Sequence, residues 1–355
     1  MKQPPFIALP PQPEGTPYPG AEWPTAELPP GVEIESLLDE MFDPDSPFSE
    51  TFAVVIVHAG RVVTERYANK LPSFEGDGEE VTKTTPLLSW SLAKSMLHAV
   101  IGMLVAEGRL VLDAPAPVDA WSKPGDPRQK ITTADLLAMR DGLKWSEVYS
   151  VDAPSDVVEM LFGDGRSDVA GFAEKSPAAV PPNTRYAYSS GASNILSGIA
   201  SRAIAPETQI NEFLQTRLLD PLGMSSSRAT IDDAGNWVAS TFVYATALDF
   251  ARFGLLYLRD GVWAGQRLLP EGWVDHARTP VSRDEENGHL YGNHWWVTED
   301  RYGSFWANGH EGQNIMVCPA LDLVLVRIGR TGDEGCALLP AWREAVLDSF
   351  AAPDS

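Results

Sequence analysis

The chain has 355 residues, 44% of them hydrophobic and 21% charged, with a formal net charge of −22. That length exceeds the usual single core, so one large domain with an inserted subdomain, or two closely packed lobes, is expected. The acidity and the lack of any Lys/Arg run exclude a phosphate backbone as a natural partner, and no window approaches the roughly 18 apolar residues of a membrane span.

Residues 1–46 are rich in Pro and acidic side chains and read as an extended surface arm, with one short helix near Ile34 to Met41. The start, MKQPPFIALPP, lacks the apolar run and small-residue cleavage site of a secretory leader, which favours a cytoplasmic location. From Thr51, TFAVVIVHAGRVVTERYA holds two β-branched runs separated by Ala59 and Gly60, a hairpin whose first strand is apolar enough to be buried on both faces. Helical periodicity follows in SLAKSMLHAVIGMLVAEG, in ITTADLLAMRDG, which opens on a Thr cap and stops at Gly142, and in ASNILSGIASRAI. TALDFARFGLLYLRDG and GWVDHART add further helix. Strands return after about Gly288 in YGNHWWV, GSFWANG, NIMVCP and LDLVLVRI, before a closing helix, ALLPAWREAVLDSFA.

Strands at both ends with helices between them predict one sheet assembled from the two termini. The expected division is a domain over 47–350, with a sheet lobe (47–88 plus 285–350) and a mainly helical lobe (89–284). A cleft is expected where the lobes meet. Trp145, Trp237, Trp295 and Trp296 are candidates to line it, with core packing the commoner role for such residues. Cys318 and Cys336 show no metal-ligand spacing and read as two small buried hydrophobes.

Three segments carry chemistry. Ser91-Leu92-Ala93-Lys94 opens the most apolar helix, so its serine and lysine lie about one turn apart on one face. A serine hydroxyl needs an adjacent base, and a lysine serves as one when burial lowers its pKa. The helix start adds free N–H groups for a developing oxyanion. By itself the motif is weak, since ordinary Ser and Lys usage yields roughly one by chance in such a length. In the second segment, Arg185 to Gly191, the Tyr188 hydroxyl could shuttle a proton if a nearby ammonium favours its ionised form; the alternative is packing at a helix entry capped by Ser190 or Ser193. The third, Ala307-Asn308-Gly309-His310-Glu311-Gly312-Gln313, lies between two apolar strands and is either a hairpin turn or an edge that a substrate can approach.

In this order, the three segments resemble the serine β-lactamase/penicillin-binding superfamily, most closely its class C-like branch of esterases, D-aminopeptidases, carboxypeptidases and 6-aminohexanoate-dimer hydrolases. YATALDFARFGLLYLRDGVW and the GxxGQ element look most like the last group. The resemblance implies an α/β fold of the α+β type, an antiparallel sheet flanked by helices with a large helical insertion. It implies acylation of Ser91, activation by Lys94, and a proton relay through Tyr188. It places Ser190, Gly309, His310 and Gly312 in the oxyanion and substrate-binding set, with the His310 N–H as second oxyanion donor beside that of Ser91. Two departures stand out: the family's Tyr-x-Asn reads Tyr188-Ser189-Ser190, and the lysine of its Lys-Thr-Gly is Ala307. Both weigh against efficient β-lactam or peptidoglycan chemistry and leave small esters or linear amides as substrates.

Other readings are a β-lactamase or D-amino-acid peptidase, a sensor that is acylated but never turns over, and a hydrolase using His310 as base with Glu311 or Asp322 as orienter. No cofactor or metal is expected, since His289 and His294 are not spaced as a His-Glu-x-x-His helix and no phosphate-binding glycine loop occurs. The sequence leaves oligomeric state open.

Overall fold

The computed structural model describes residues 6–48, 50–71, 78–149, 154–205 and 207–351. In chain order the elements begin with α1 (Glu35–Phe42), β1 (Glu50–His58), β2 (Arg61–Tyr67), β3 (Leu87–Leu88) and α2 (Leu92–Ala106). The helical stretch continues with α3 (Thr133–Leu137), α4 (Asp156–Phe162), α5 (Val169–Ala173), α6 (Ser190–Ile204), α7 (Ile210–Leu214) and α8 (Asp220–Leu222). Then come β4 (Arg228–Ala229), β5 (Val243–Ala245), α9 (Ala247–Leu258), β6 (Val262–Trp263), β7 (Gln266–Arg267) and α10 (Trp273–Arg278). The chain returns to the sheet in β8 (Ser282–Arg283), β9 (Leu290–Tyr291), β10 (Trp296–Val297), β11 (Phe305–Gly309), β12 (Gln313–Cys318) and β13 (Leu323–Arg330), and ends on α11 (Asp333–Phe350).

The large sheet has eight strands in the order β2-β1-β13-β12-β11-β10-β9-β8, and its pairings are antiparallel. The two chain ends meet where β1 pairs with β13, Val55 opposite Val326. β1 is buried from Thr51 to Val57 because α9 packs against it and α1 also touches it. At the β1–β2 hairpin Ala59 and Gly60 both take positive φ, 48° and 74°, the type I′ geometry whose twist suits a two-residue loop.

α2 is buried almost throughout, as expected of a helix apolar on all sides. It lies between the sheet, at β11 and β12, and α6 of the helical lobe, so its N-terminus emerges at their junction. α9 packs on β12 and β13 through Gly254, where an added Cβ would stand 2.6 Å from Val324 and 2.9 Å from Ile315. Gly254→Val is therefore expected to destabilise the protein by about 1–3 kcal/mol through overpacking, read as a lower urea midpoint at unchanged m-value.

Several local readings differ from the structure. ITTADLLAMRDG is helical only over Thr133–Leu137: Thr132 and Asp135 form a reciprocal cap, but Met139 at φ 55° turns the chain away. YGNHWWV is a tight hairpin, β9 to β10, and no continuous strand. Its turn holds His294 at φ 58°, and the ring is buried against the Leu137 carbonyl (2.8 Å) and the Ser193 hydroxyl (3.0 Å). The closing helix starts earlier, at Asp333. The proline-rich arm does more than lie on the surface. Its Thr25 bridges Val62 and lengthens the sheet beyond β2, while the carbonyls of Gly20 and Pro10 accept from the buried Arg252 and Arg259. Cys318 is buried, Cys336 half-buried, and both are free thiols. No helix among the described residues is long and apolar enough to cross a membrane.

Candidate active site

The site is built around the turn that enters α2. Trp90 is held at φ 43°, a conformation costly for a bulky residue and found where surrounding structure enforces it. Ser89 provides that enforcement: its hydroxyl donates to the Thr241 carbonyl (2.8 Å) and accepts from the Val243 N–H (3.0 Å), locking the turn against β5. From the other side β11 comes so close that a Cβ on Gly309 would lie 2.7 Å from the Ser89 carbonyl oxygen, so this position needs glycine for space. Ser91 occupies the N-cap position of α2, yet its side chain makes no capping bond. Its hydroxyl is left for the cleft.

One turn on, the ammonium of Lys94 donates to the Ser91 hydroxyl at 2.8 Å, the Ser190 hydroxyl at 3.0 Å and the Ser240 carbonyl at 2.8 Å. Lys94 is 2% exposed, and burial lowers its pKa to about 8 against the opposing pull of Glu147. An amine in that range is neutral often enough near neutral pH to accept a proton.

Glu147 was not singled out from the sequence. It lies in the loop after α3, lines the same cleft, and accepts from the Ser190 N–H (2.8 Å), the Ser190 hydroxyl, the Trp145 indole N–H (2.6 Å) and the Tyr149 hydroxyl (3.2 Å). The result is a polar chain, Glu147–Ser190–Lys94–Ser91. A lone glutamate in KWSEVY carries no local signal for this, because it meets Ser190 only through folding.

Tyr188 reaches the same point: it lines one cleft with Ser91, close enough for Ser91 to pull the phenol pKa down. The expectation that a nearby ammonium would favour its ionised form is corrected. Burial pushes the Tyr188 phenol well above its ordinary value, more than the neighbouring Ser91 lowers it. Lys94 sits over the ring face, 4.9 Å from the centroid, with the Trp296 ring stacked at 5.8 Å. Tyr188 is thus a proton donor at rest.

The structure brings Ser91, Tyr188, Gly309 and His310 to one cleft of about 790 Å³, with Lys94 and Ser190 directly beneath. Gly312 is the exception. At φ 85° it turns away from the cleft into the joint between β13 and α11, where an added Cβ would stand 2.6 Å from Leu339 and 2.9 Å from Arg327. It lines an adjoining cavity instead, where the chain reverses between β11 and β12. Trp145 and Trp296 line the cleft, whereas Trp237 and Trp295 are fully buried in the core. The His310 ring is held between Trp90 (5.2 Å) and Tyr149 (4.9 Å). Neither acidic orienter considered for it is free: Glu311 pairs with Arg330 at 3.6 Å and Asp322 with Arg259 at 2.5 Å.

A profile of the beta-lactamase family matches residues 48–337. The chain belongs to the beta-lactamase family. Within that family it is similar to the 6-aminohexanoate-dimer hydrolase of Paenarthrobacter ureafaciens, with 25% identity over 87% of this chain and 81% of the relative. A Bacillus anthracis structure provisionally assigned as a 6-aminohexanoate-dimer hydrolase superposes with a TM-score of 0.76 at 21% identity, covering 96% of this chain and 91% of the other. A family VIII carboxylesterase superposes with a TM-score of 0.66 at 12% identity, covering 90% and 99%. The beta-lactamase fold, with its antiparallel sheet and inserted helices, agrees with the architecture expected from the sequence. This chain is a serine hydrolase of the β-lactamase superfamily.

Proposed function

We propose that this beta-lactamase-family protein cleaves small carboxylic esters or linear amides through an acyl-enzyme on Ser91. The observation that carries the reading is the 2.8 Å contact between the Ser91 hydroxyl and a buried Lys94 whose pKa is lowered to about 8. As the Ser91 oxygen attacks the carbonyl carbon, its proton passes to neutral Lys94. The negative charge on the carbonyl oxygen is met by the backbone N–H groups of Ser91 and His310. Tyr188 then gives its phenolic proton to the departing nitrogen or oxygen and recovers one from Lys94. Water attacks the ester in the second half-reaction, with the same groups working in reverse. The names of the relatives, an amide hydrolase and a carboxylesterase, support this substrate range. Ala307, buried in β11 where the family carries a lysine, gives no cation to a β-lactam carboxylate.

The deciding experiment is intact-mass measurement during p-nitrophenyl butyrate turnover. A transient butyryl adduct on wild type, absent in Ser91→Ala, is the expected result, and turnover without any Ser91-dependent adduct overturns the mechanism. Tyr188→Phe tests the leaving-group step. It should slow a p-nitrophenyl ester little but an alkyl amide by about 10²–10⁴-fold, because only the amine must be protonated to leave. Equal losses on the two substrates would remove Tyr188 from that role.

A further inference from the structure

A row of aromatic rings runs outward from the Ser91 cleft. The His310 ring, stacked on Tyr149 at 4.9 Å, meets the Trp90 ring edge-on at 5.2 Å. Trp90 in turn meets Phe242 at 6.5 Å, and Phe242 meets Phe162 edge-on at 6.0 Å. The row thus starts at the residue assigned the second oxyanion donor and ends on the surface: Trp90 and Phe242 are half-buried, and Phe162 is 52% exposed. The proton transfers use none of the last three rings.

A single exposed apolar side chain is ordinary, but these three are tied to the nucleophile turn and to one another. α4 serves the core with Val157, Met160 and Leu161, and Phe162, at its last position, stays outside. The Ser89 hydroxyl, bonded to the Thr241 carbonyl and the Val243 N–H, brackets Phe242 and fixes it beside that turn. The turn itself holds Trp90 at φ 43°, a strained conformation that leaves the indole half-exposed next to Ser91. Tyr188, placed to protonate the leaving group, has other ring partners, Tyr291 and Trp296. The row shares no ring contact with Tyr188 and so leads to the acyl side of the scissile bond. Methylene groups laid along it leave water on one side, which favours a longer apolar chain over a shorter one. We infer that the Trp90–Phe242–Phe162 row seats a medium-length apolar acyl chain such as octanoyl, with Phe162 setting the preference for its length. The inference deepens the hydrolase reading and rests on it for its role: it names esters or amides of medium-chain fatty acids as the substrate class of the Ser91 site.

The test is a chain-length series of p-nitrophenyl esters, from acetate to decanoate and each below its aggregation concentration, with full-length wild type, Phe162→Ser, Phe162→Leu and Val111→Ser. Wild-type kcat/KM should be about tenfold or more higher for octanoate than for butyrate, because four further methylenes are partly withdrawn from water. Phe162→Ser should cut that ratio about threefold or more through a fall in the octanoate value, whereas Phe162→Leu, which keeps an apolar surface, should hold it within about twofold of wild type. Val111, exposed beyond the far end of α2, is the control, and Val111→Ser should leave the ratio unchanged. A flat series in wild type, an undiminished ratio in Phe162→Ser, or an equal fall in Val111→Ser overturns the inference. Calorimetric titration separates that failure from failure of the hydrolase reading: Ser91→Ala should bind octanamide about tenfold more tightly than butanamide, a preference lost when Phe162→Ser is added. Equal binding of the two amides overturns the inference. If the binding preference holds while no ester is turned over by wild type, the hydrolase reading alone fails.

Discussion

Ser91→Ala is expected to bring p-nitrophenyl butyrate hydrolysis down to background, a loss of roughly 10⁴-fold or more in kcat, with the melting temperature changed little. The size follows from the position of the hydroxyl. It accepts the Lys94 hydrogen bond and shares the cleft with Tyr188, and its own side chain contributes no cap to α2. Removing it takes away the bond-forming oxygen and leaves the helix start otherwise intact. Steady-state rates and a thermal melt on the same preparations check both halves of the expectation. Activity retained within tenfold would place the nucleophile elsewhere.

Lys94→Met should cost about 10²–10⁴-fold in kcat/KM, the usual contribution of a positioned general base, while its apolar side chain refills the buried site. The pH dependence is the sharper readout. Lys94 must be neutral to accept the Ser91 proton, so with a pKa of about 8 the wild-type kcat/KM should rise with pH and level off above that value. The Glu147 carboxylate favours the charged form of Lys94. Glu147→Gln should therefore move this acid limb to lower pH, even while the plateau falls because Ser190 loses its anchor. A merely structural role for Glu147 would lower the plateau and leave the limb in place. A limb unmoved by Glu147→Gln, or one that persists in Lys94→Met, would detach the profile from Lys94.

Much of this arrangement is carried by local pattern. Ser91 and Lys94 stand three residues apart at the start of an apolar helix, and that spacing alone brings an amine to a hydroxyl once the helix forms. The Ala59–Gly60 turn, the buried β1 run and the helix periods from Leu92, Ser190 and Ala247 are equally local, because side-chain direction follows the period of each element. The return of the chain to one sheet was legible from strands at both ends flanking helices.

What the tertiary structure decided depends on approach between distant segments. Glu147 became part of the site through contact with Ser190, 43 residues further on, and nothing in its own neighbourhood signals that meeting. Tyr188 keeps its proton because the fold buries it. Gly309 and Gly312 look alike in a glycine-rich run, yet close packing turns one toward Ser89 and the other toward Leu339 and Arg327. The sequence by itself determined most of the elements and the approach of Lys94 to Ser91, since both arise from contacts within a turn of helix or a hairpin. Burial, and with it the protonation of Lys94 and Tyr188 and the reach of Glu147, came only from packing the helices and the sheet together, because desolvation is a property of the assembled surroundings and of no single segment.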